Sequence, residues 1–188
     1  SIPTVSRALK DSPEISRELC AKAKALAKEM NYRPNPFAMS LRKNAPRIIG
    51  VVVPDIVTHF FASILNGIEN MAIANGYFVI ITTSHESYEH EKRNIENLVN
   101  MRVEGIIACL SQETTDFSHI SALKDINMPL ILFDRVCLTD QFSSVIADGA
   151  QSAQMATQHL LDNGSKRVAF IGGANHLDIV KRRKHGYL

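Results

Sequence analysis

The sequence has few cysteines, no tryptophan and no apolar run that is long enough to cross a membrane. Its three cysteines, Cys20, Cys109 and Cys137, lie far apart. An odd number of widely spaced thiols is typical of reduced, buried side chains and does not fit a disulfide framework or a zinc site. No segment approaches the roughly 20 consecutive apolar residues that a membrane helix needs, and the N-terminal residues lack the layout of a secretion signal. These absences predict a cytoplasmic protein with no membrane partner.

Motifs that hold nucleotides or activate nucleophiles are also absent. There is no Gly-x-Gly-x-x-Gly, no Walker loop and no Gly-x-Ser-x-Gly, which are phosphate-binding and nucleophile signatures of common α/β enzymes. His85 and Glu86, followed by Glu89 and His90, have side chains that bind metals, but their polar surroundings favour a surface segment at the start of a helix. The sequence therefore predicts no catalytic residue, no metal and no cofactor.

The basic residues are concentrated at the start of the chain. Residues 1–47 contain ten Lys or Arg and four Asp or Glu, whereas residues 48–188 contain eleven and fifteen. A basic segment on a mildly acidic body indicates a polyanionic partner for the first segment alone, although a solvated helix surface can carry the same bias. Hydrophobic residues make up 45% of the chain, which is typical of a globular protein.

Residues 1–34 predict a small all-helical head. Helices are expected over 1–10 and 16–30, because apolar residues recur there at steps of three and four and Asp11-Ser12-Pro13 separates the two. Two such helices are too few to form a core, so the head looks incomplete. The first helix carries small and polar side chains that suit the major groove of DNA, but any surface helix could carry similar ones. These side chains belong to Ile2, Pro3, Thr4, Ser6 and Arg7.

Residues 35–46 are predicted to be a linker. Pro36 and Pro46 bound a mixed polar and apolar stretch with room for one or two helical turns, which would be marginal in water on their own. We expect contact with a partner to order this segment.

From Arg47 onward the pattern changes to alternating strands and helices. Apolar runs rich in β-branched residues are expected of strands that helices cover on both faces. Regular alternation predicts an α/β fold with a doubly wound parallel sheet, in which ligands bind beyond the carboxyl ends of the strands. The predicted strands are 48–53, 77–83, 105–110, 130–133, 144–147 and 168–171.

Polar residues follow several of these strands, at the edge where a ligand would bind. Carboxylates and arginines placed there suit bidentate hydrogen bonds to vicinal hydroxyls, and neighbouring aromatic rings would form an apolar wall. For each carboxylate alone a helix cap is the more expected role, but the set together favours a small polar ligand such as a sugar. The candidates are Asp55, Phe60, Phe61, Asp134, Arg135, Asp148 and, from the basic run 181–184, Arg183.

Several motifs together carry a family resemblance. In the head and linker they are Ser1-Ile-Pro-Thr-Val-Ser-Arg-Ala-Leu and Asn31-Tyr-Arg-Pro-Asn-Pro-Phe-Ala-Met-Ser-Leu-Arg. In the body they are Ile49-Gly-Val-Val-Val-Pro-Asp, Gly105-Ile-Ile-Ala, Phe133-Asp-Arg, the run from Asp148 to Gly173, and Arg183-Lys-His-Gly-Tyr. The sequence resembles, over its whole length, the lactose-repressor (LacI/GalR) family of transcription regulators. The motif that begins at Ser1 is similar to the recognition helix of that family, and the motif that begins at Asn31 is similar to its helix end and hinge.

The resemblance implies a homodimer that binds a palindromic operator in double-stranded DNA. The hinge helix would fold in the minor groove, with one apolar side chain wedged between base pairs. Base-reading positions match Ile2, Pro3 and Arg7, and phosphate-contacting positions match Thr4, Ser6 and Asn31. The hinge helix matches residues 35–42, among them Asn35, Ala38 and Arg42, with Leu41 as the wedge.

The resemblance also implies an effector pocket in the body. Asp55, Phe61, Asp134, Asp148 and Arg183 fall at or near family positions that line or support this pocket. Effector binding would shift one subdomain against the other and so alter DNA affinity. Compared with the family, the chain starts inside the helix-turn-helix and stops before a second α/β subdomain. We therefore expect residues 47–188 to be the N-terminal effector-binding subdomain of a protein truncated at both ends.

Two other classes share the α/β body. A sugar-binding receptor without DNA binding would leave Thr-Val-Ser-Arg and the hinge motif unexplained, and it would need an export signal. A flavodoxin-like enzyme or signalling domain would need a phosphate loop or an acidic catalytic cluster, and neither is present. The prediction is a DNA-binding transcription regulator whose operator affinity is controlled by a small-molecule effector.

Overall fold

The computed structural model describes residues 2–9, 11–32 and 47–188. The chain divides into two compact units, residues 1–45 and 46–188. The predicted linker over 35–46 lies outside the described residues, and so do its four candidate DNA contacts, Asn35, Ala38, Leu41 and Arg42.

The first unit contains two helices, α1 (Ile2–Ala8) and α2 (Arg17–Glu29). Ser16 caps α2 by accepting a hydrogen bond from the Leu19 amide at 3.3 Å, as the sequence before an Ala-rich helix favours. Asp11 turns the chain between the helices with a φ of 53°. Ala8 and Cys20 are buried, whereas apolar side chains further along α2, such as Leu26, are exposed. The two described helices therefore bury little apolar surface.

The second unit is built on a five-stranded sheet with the strand order β2-β1-β3-β4-β5. All four strand pairs are parallel, which the β-branched, two-sided apolar runs predict. The strands are β1 (Ile48–Val53), β2 (Phe78–Thr83), β3 (Gly105–Ala108), β4 (Leu130–Phe133) and β5 (Ser143–Val145).

Helices cover both faces of this sheet, so the predicted doubly wound α/β fold is confirmed. On one face, Ile95, Leu98 and Ile120 form a buried cluster with strand residues such as Val52. On the other face, Phe61 packs with strand residues such as Val51, Val53 and Phe133. The helices of this unit are α3 (His59–Ala74), α4 (Tyr88–Asn100), α5 (Ser118–Asp125), α6 (Gly149–Asp162) and α7 (Asp178–Tyr187).

The prediction of a strand at 168–171 is wrong. The segment pairs with none of the five strands, and Ile171 is 96% exposed. A short apolar run has the composition of a strand whether or not a neighbouring strand is available to pair with it. The Tyr187 hydroxyl instead donates to the Val168 carbonyl at 2.7 Å, and its ring stacks on Phe170 at 5.4 Å between centroids.

Helix α7 has no counterpart in the sequence-based prediction, because its charged residues lack an apolar period. A close approach to α6 holds it in place: a Cβ at Gly186 would overlap the carbonyl oxygen of Ala150. Because α7 packs against α6 in this way, its residue Arg183 lies at the carboxyl edge of the sheet. Among the described helices, none is long and apolar enough to span a membrane.

Candidate functional site

A cleft of about 630 Å³ opens at the carboxyl ends of β4 and β5. Its lining combines apolar residues of α3 and of the sheet with charged residues of α7. Such a combination of an apolar wall and a few convergent polar groups is typical of a small-molecule site. Of the predicted ligand residues, Phe60, Asp134 and Arg183 line this cleft, together with Asp178 and Arg182.

Asp134 follows β4 in a left-handed conformation, with a φ of 57°. Its amide donates to the Val145 carbonyl at 3.1 Å, which fixes the loop against β5. Burial raises the pKa of the Asp134 carboxyl, and the positive charges of Arg135 and Arg183 oppose this rise. Non-glycine residues in this backbone region often occur at ligand sites, because the surrounding structure must hold the conformation.

Arg183 reaches the cleft across Gly149. A Cβ at Gly149 would lie 3.4 Å from Cγ of Arg183, so the absence of a side chain there leaves space for the arginine stem. Gly149 is the first residue of α6, and Asp148 caps that helix by accepting from the Gln151 amide at 2.9 Å. The structure thus places Asp148 beside the cleft as a helix cap, and it does not line the cavity.

Asp55 and Phe61 are also near this edge without lining the larger cleft. The Asp55 carboxylate accepts from the Val57 amide at 2.9 Å, which closes the turn after β1. Phe61 is a core residue whose ring centroid lies 5.1 Å from that of Phe60 and 6.4 Å from that of Phe133. Phe61 therefore supports two rings that face the cleft.

Arg135 faces a second, smaller cleft of about 290 Å³, which shares Asp178 and Arg182 with the larger one. Its guanidinium forms a two-point ion pair with Glu86, with Nη1–Oε2 and Nη2–Oε1 distances of 2.6 and 2.9 Å. Burial tends to raise the pKa of Glu86, but hydrogen bonds from Arg135 and the Gln112 amide hold that pKa below its ordinary value. Arg135 is thus already paired with a carboxylate.

Sequence reasoning missed Glu86 as a partner of Arg135, because 49 residues separate the two. The only available signal was the polar cluster around His85 and Glu86, which the sequence favours as surface rather than as metal ligands. Within the described residues, no three His, Cys, Asp or Glu side chains are arranged to hold a metal ion.

A buried network around Glu91 was also missed. Glu91 lies on α4 and is fully buried. Its carboxylate accepts hydrogen bonds from Thr114 Oγ1 at 2.9 Å and from Ser111, through both Oγ at 2.8 Å and the amide. Its Oε1 also lies 2.9 Å from Nε2 of His119. Glu91 therefore ties α4 to the loop after β3, which carries the residues at the edge of the smaller cleft.

The predicted DNA contacts of the head lie on or beside the two helices. Pro3 and Arg7 are exposed on α1, and Thr4 and Ser6 are half-buried; Ile2 begins the helix. Nη1 of Arg7 lies 2.9 Å from a Glu14 carboxylate oxygen in an exposed pair, which is worth only about 0–1 kcal/mol. Asn31 is exposed just beyond α2, with a φ of 49°.

The fold and the clefts define a class: an α/β domain with an open parallel sheet and clefts at the carboxyl edge, where ligands of such sheets bind. Residues 47–188 match the family described as periplasmic binding proteins and the sugar-binding domain of the LacI family. The chain belongs to this family, which confirms the resemblance inferred from its motifs.

Individual relatives agree with this assignment. Over 98% of its length the chain is 32% identical to catabolite control protein A of Priestia megaterium, of which it covers 56%. Over its full length it is 29% identical to the ribose operon repressor of Halalkalibacterium halodurans, of which it covers 55%. Its fold is similar to that of the lac repressor dimer bound to operator and the anti-inducer ONPF, with a TM-score of 0.79 and 25% identity. That match covers all of this chain and 56% of the repressor chain, so the chain spans about half the length of these relatives.

Proposed function

We propose that the protein is a DNA-binding transcription regulator whose operator affinity depends on a small effector, a sugar or a sugar derivative. The observation that carries this proposal is the cleft at the carboxyl edge of the sheet, which is lined by Asp134, Arg183 and Phe60. Two relatives are named for control of catabolism and for the ribose operon, which supports a role in sugar-dependent regulation. No catalytic role is assigned to any residue.

Ligand recognition follows from the chemistry of the cleft. The Asp134 carboxylate accepts hydrogen bonds from hydroxyl groups, and the Arg183 guanidinium donates two parallel bonds. Phe60 provides an apolar surface for the carbon face of a sugar ring. Three other predicted residues support the site without contacting the ligand. Asp55 holds the turn after β1, Phe61 packs against Phe133, and Asp148 caps α6.

DNA recognition is assigned to the first part of the chain. In this proposal residues 1–34 are the partial helix-turn-helix head, 35–46 the hinge and 47–188 the N-terminal effector-binding subdomain. The protein acts as a cytoplasmic homodimer, since a palindromic operator mirrors a two-fold axis. Base and phosphate contacts in the major groove come from Ile2, Pro3, Thr4, Ser6, Arg7 and Asn31, and those of the hinge in the minor groove from Asn35, Ala38, Leu41 and Arg42.

The ligand site is tested by Arg183→Ala in the protein expressed from its complete reading frame. Removing a guanidinium that donates to the ligand is expected to cost about 2 kcal/mol or more, which is about 30-fold in ligand affinity. The response of DNA binding to the effector should be lost, while DNA affinity without effector changes little. Isothermal titration calorimetry measures the first effect and fluorescence anisotropy the second.

Lys184→Ala is the matched control, because it removes the next positive charge of α7 from a residue that does not line the larger cleft. It should bind ligand like the unmodified protein. An Arg183→Ala variant with normal ligand affinity would remove this site from the proposal.

A further inference from the structure

Glu86 and Arg135 form an ion pair at the carboxyl edge of the sheet, and further hydrogen bonds fix its geometry. The two groups meet at two points, and Nη1 of Arg135 also donates to the Leu110 carbonyl at 3.1 Å. The Glu86 carboxylate in turn accepts from the Gln112 amide at 2.8 Å. His85 and Glu86 both have positive φ values, 53° and 61°, so the loop holds an unfavourable backbone conformation that aims this carboxylate at the arginine.

Carboxylates of the protein itself neutralise most of the positive charges around the smaller cleft. Three cations line it, Arg135, Lys181 and Arg182. Arg135 is paired with Glu86, and Arg182 is paired with Asp178 on the same helix. An anionic ligand would have to compete with these carboxylates for the guanidinium groups, whereas a neutral ligand would not.

We propose that Glu86 is a specificity-determining residue that makes the site select neutral sugars over their phosphate esters, because it occupies both terminal nitrogens of Arg135. This inference rests on the proposed function. Asp134 and Arg135 are adjacent in the chain and face the larger and the smaller cleft respectively. The two clefts also share Asp178 and Arg182. A phosphate substituent that extends from a sugar at Asp134 and Arg183 towards Arg135 would meet a guanidinium whose Nη1 and Nη2 already donate to Glu86.

The charge states support this competition. Burial tends to lower the pKa of Arg135, but the hydrogen bonds that it donates to Glu86 and the negative charges of Glu86 and Asp134 act in the opposite direction, and the net effect is a raised pKa. The same pairing lowers the pKa of Glu86. Both partners therefore stay ionised at neutral pH, and the pair persists under the conditions in which ligands bind.

The test compares each sugar with its own phosphate ester in the protein expressed from its complete reading frame. The probes are glucose and glucose 6-phosphate, ribose and ribose 5-phosphate, fructose and fructose 1-phosphate, and inorganic phosphate alone. Calorimetry measures the affinity of unmodified protein, Glu86→Gln and the double variant Glu86→Gln/Arg135→Met. Glu89→Gln, which removes an exposed charge from the first turn of α4, controls for a general change in electrostatics.

The expected result is an affinity ratio of phosphate ester to parent sugar that rises about tenfold in Glu86→Gln, since one charge-assisted hydrogen bond becomes available. The double variant should return to the original ratio, and Glu89→Gln should not depart from it. Inorganic phosphate should stabilise Glu86→Gln against heat more than it stabilises the unmodified protein. If Glu86→Gln does not fold, Arg135→Gln provides the second measurement, and it should lower the ratio because the Glu86 carboxylate is left unpaired.

Three outcomes would overturn the inference. The unmodified protein binding a phosphate ester more tightly than its parent sugar would show that Glu86 does not exclude anions. An unchanged ratio in Glu86→Gln, with sugars still bound, would remove Glu86 as the selecting residue and leave the proposed function intact. Failure of every folded variant to bind any probe would instead overturn the proposed function, and this inference with it.

Discussion

Glu91→Ala is expected to destabilise the α/β unit by about 3–5 kcal/mol, the cost of removing one partner from a buried ionic or strongly hydrogen-bonded group. Glu91 is fully buried, and its carboxylate serves Ser111, Thr114 and His119. Without it, the Ser111 amide and the Thr114 hydroxyl lose a buried acceptor and His119 loses the partner of its Nε2, whereas the Ser111 hydroxyl keeps Ser84 and the Ser87 carbonyl within hydrogen-bond distance. Each buried group left unsatisfied costs about 1–3 kcal/mol. Nδ1 of His119 already has no hydrogen-bond partner among the described residues, so this ring has little means of compensating.

Urea unfolding followed by circular dichroism measures this loss. Glu91→Gln, which keeps the volume and one carbonyl acceptor, should lose less than the alanine variant. Glu89→Ala removes an exposed carboxylate two residues earlier on the same helix and should change the free energy of unfolding by less than about 0.5 kcal/mol. A loss below 1 kcal/mol in Glu91→Ala would mean that the network around Glu91 contributes little to stability.

Gly186→Ala is the second change with a large expected effect. Alanine normally favours a helix over glycine by about 1 kcal/mol, so propensity alone predicts a gain. At Gly186, however, the added Cβ would overlap the backbone carbonyl of Ala150, and backbone cannot move aside as a flexible side chain can. We expect a net loss of about 3 kcal/mol, near the upper end for overpacking, together with loss of ligand binding as α7 moves away with Arg183.

Gly67→Ala is the matched control for this substitution. Gly67 is also helical, in α3, but a Cβ there would meet no atom within 4 Å. It should therefore show the propensity gain, about 0.5–1 kcal/mol in stability. Thermal and urea unfolding of the two variants should move in opposite directions. Equal or increased stability in Gly186→Ala would contradict the close packing of α6 and α7.

The fold was largely predictable from the sequence because its signals are local. β1 and β4 have the predicted bounds, since continuous β-branched and apolar runs indicate strands covered on both faces. Helix α7 and the unpaired segment 168–171 were not predictable in this way. Both depend on contacts between distant parts of the chain, namely Gly186 against Ala150 and Tyr187 against Val168.

The candidate site was only partly predictable for the same reason. Asp134 follows a strand and lines the cleft, as the sequence predicts. Asp148 also follows a strand, but it caps a helix at the same edge and does not line the cleft. Position could not indicate that Arg135 is paired, because its partner Glu86 follows a different strand. A strand-end pattern therefore locates the edge where a ligand binds but does not say which charges are available to it.

The most direct test of the proposed function is a DNA titration of the protein expressed from its complete reading frame. Labelled DNA from upstream of its own gene is titrated by fluorescence anisotropy, with and without a panel of sugars, at several salt concentrations. We expect tight, salt-dependent binding that one sugar weakens or strengthens. Binding no tighter than to random DNA under every condition would contradict it, and a sugar-binding protein without DNA binding would then be the better description.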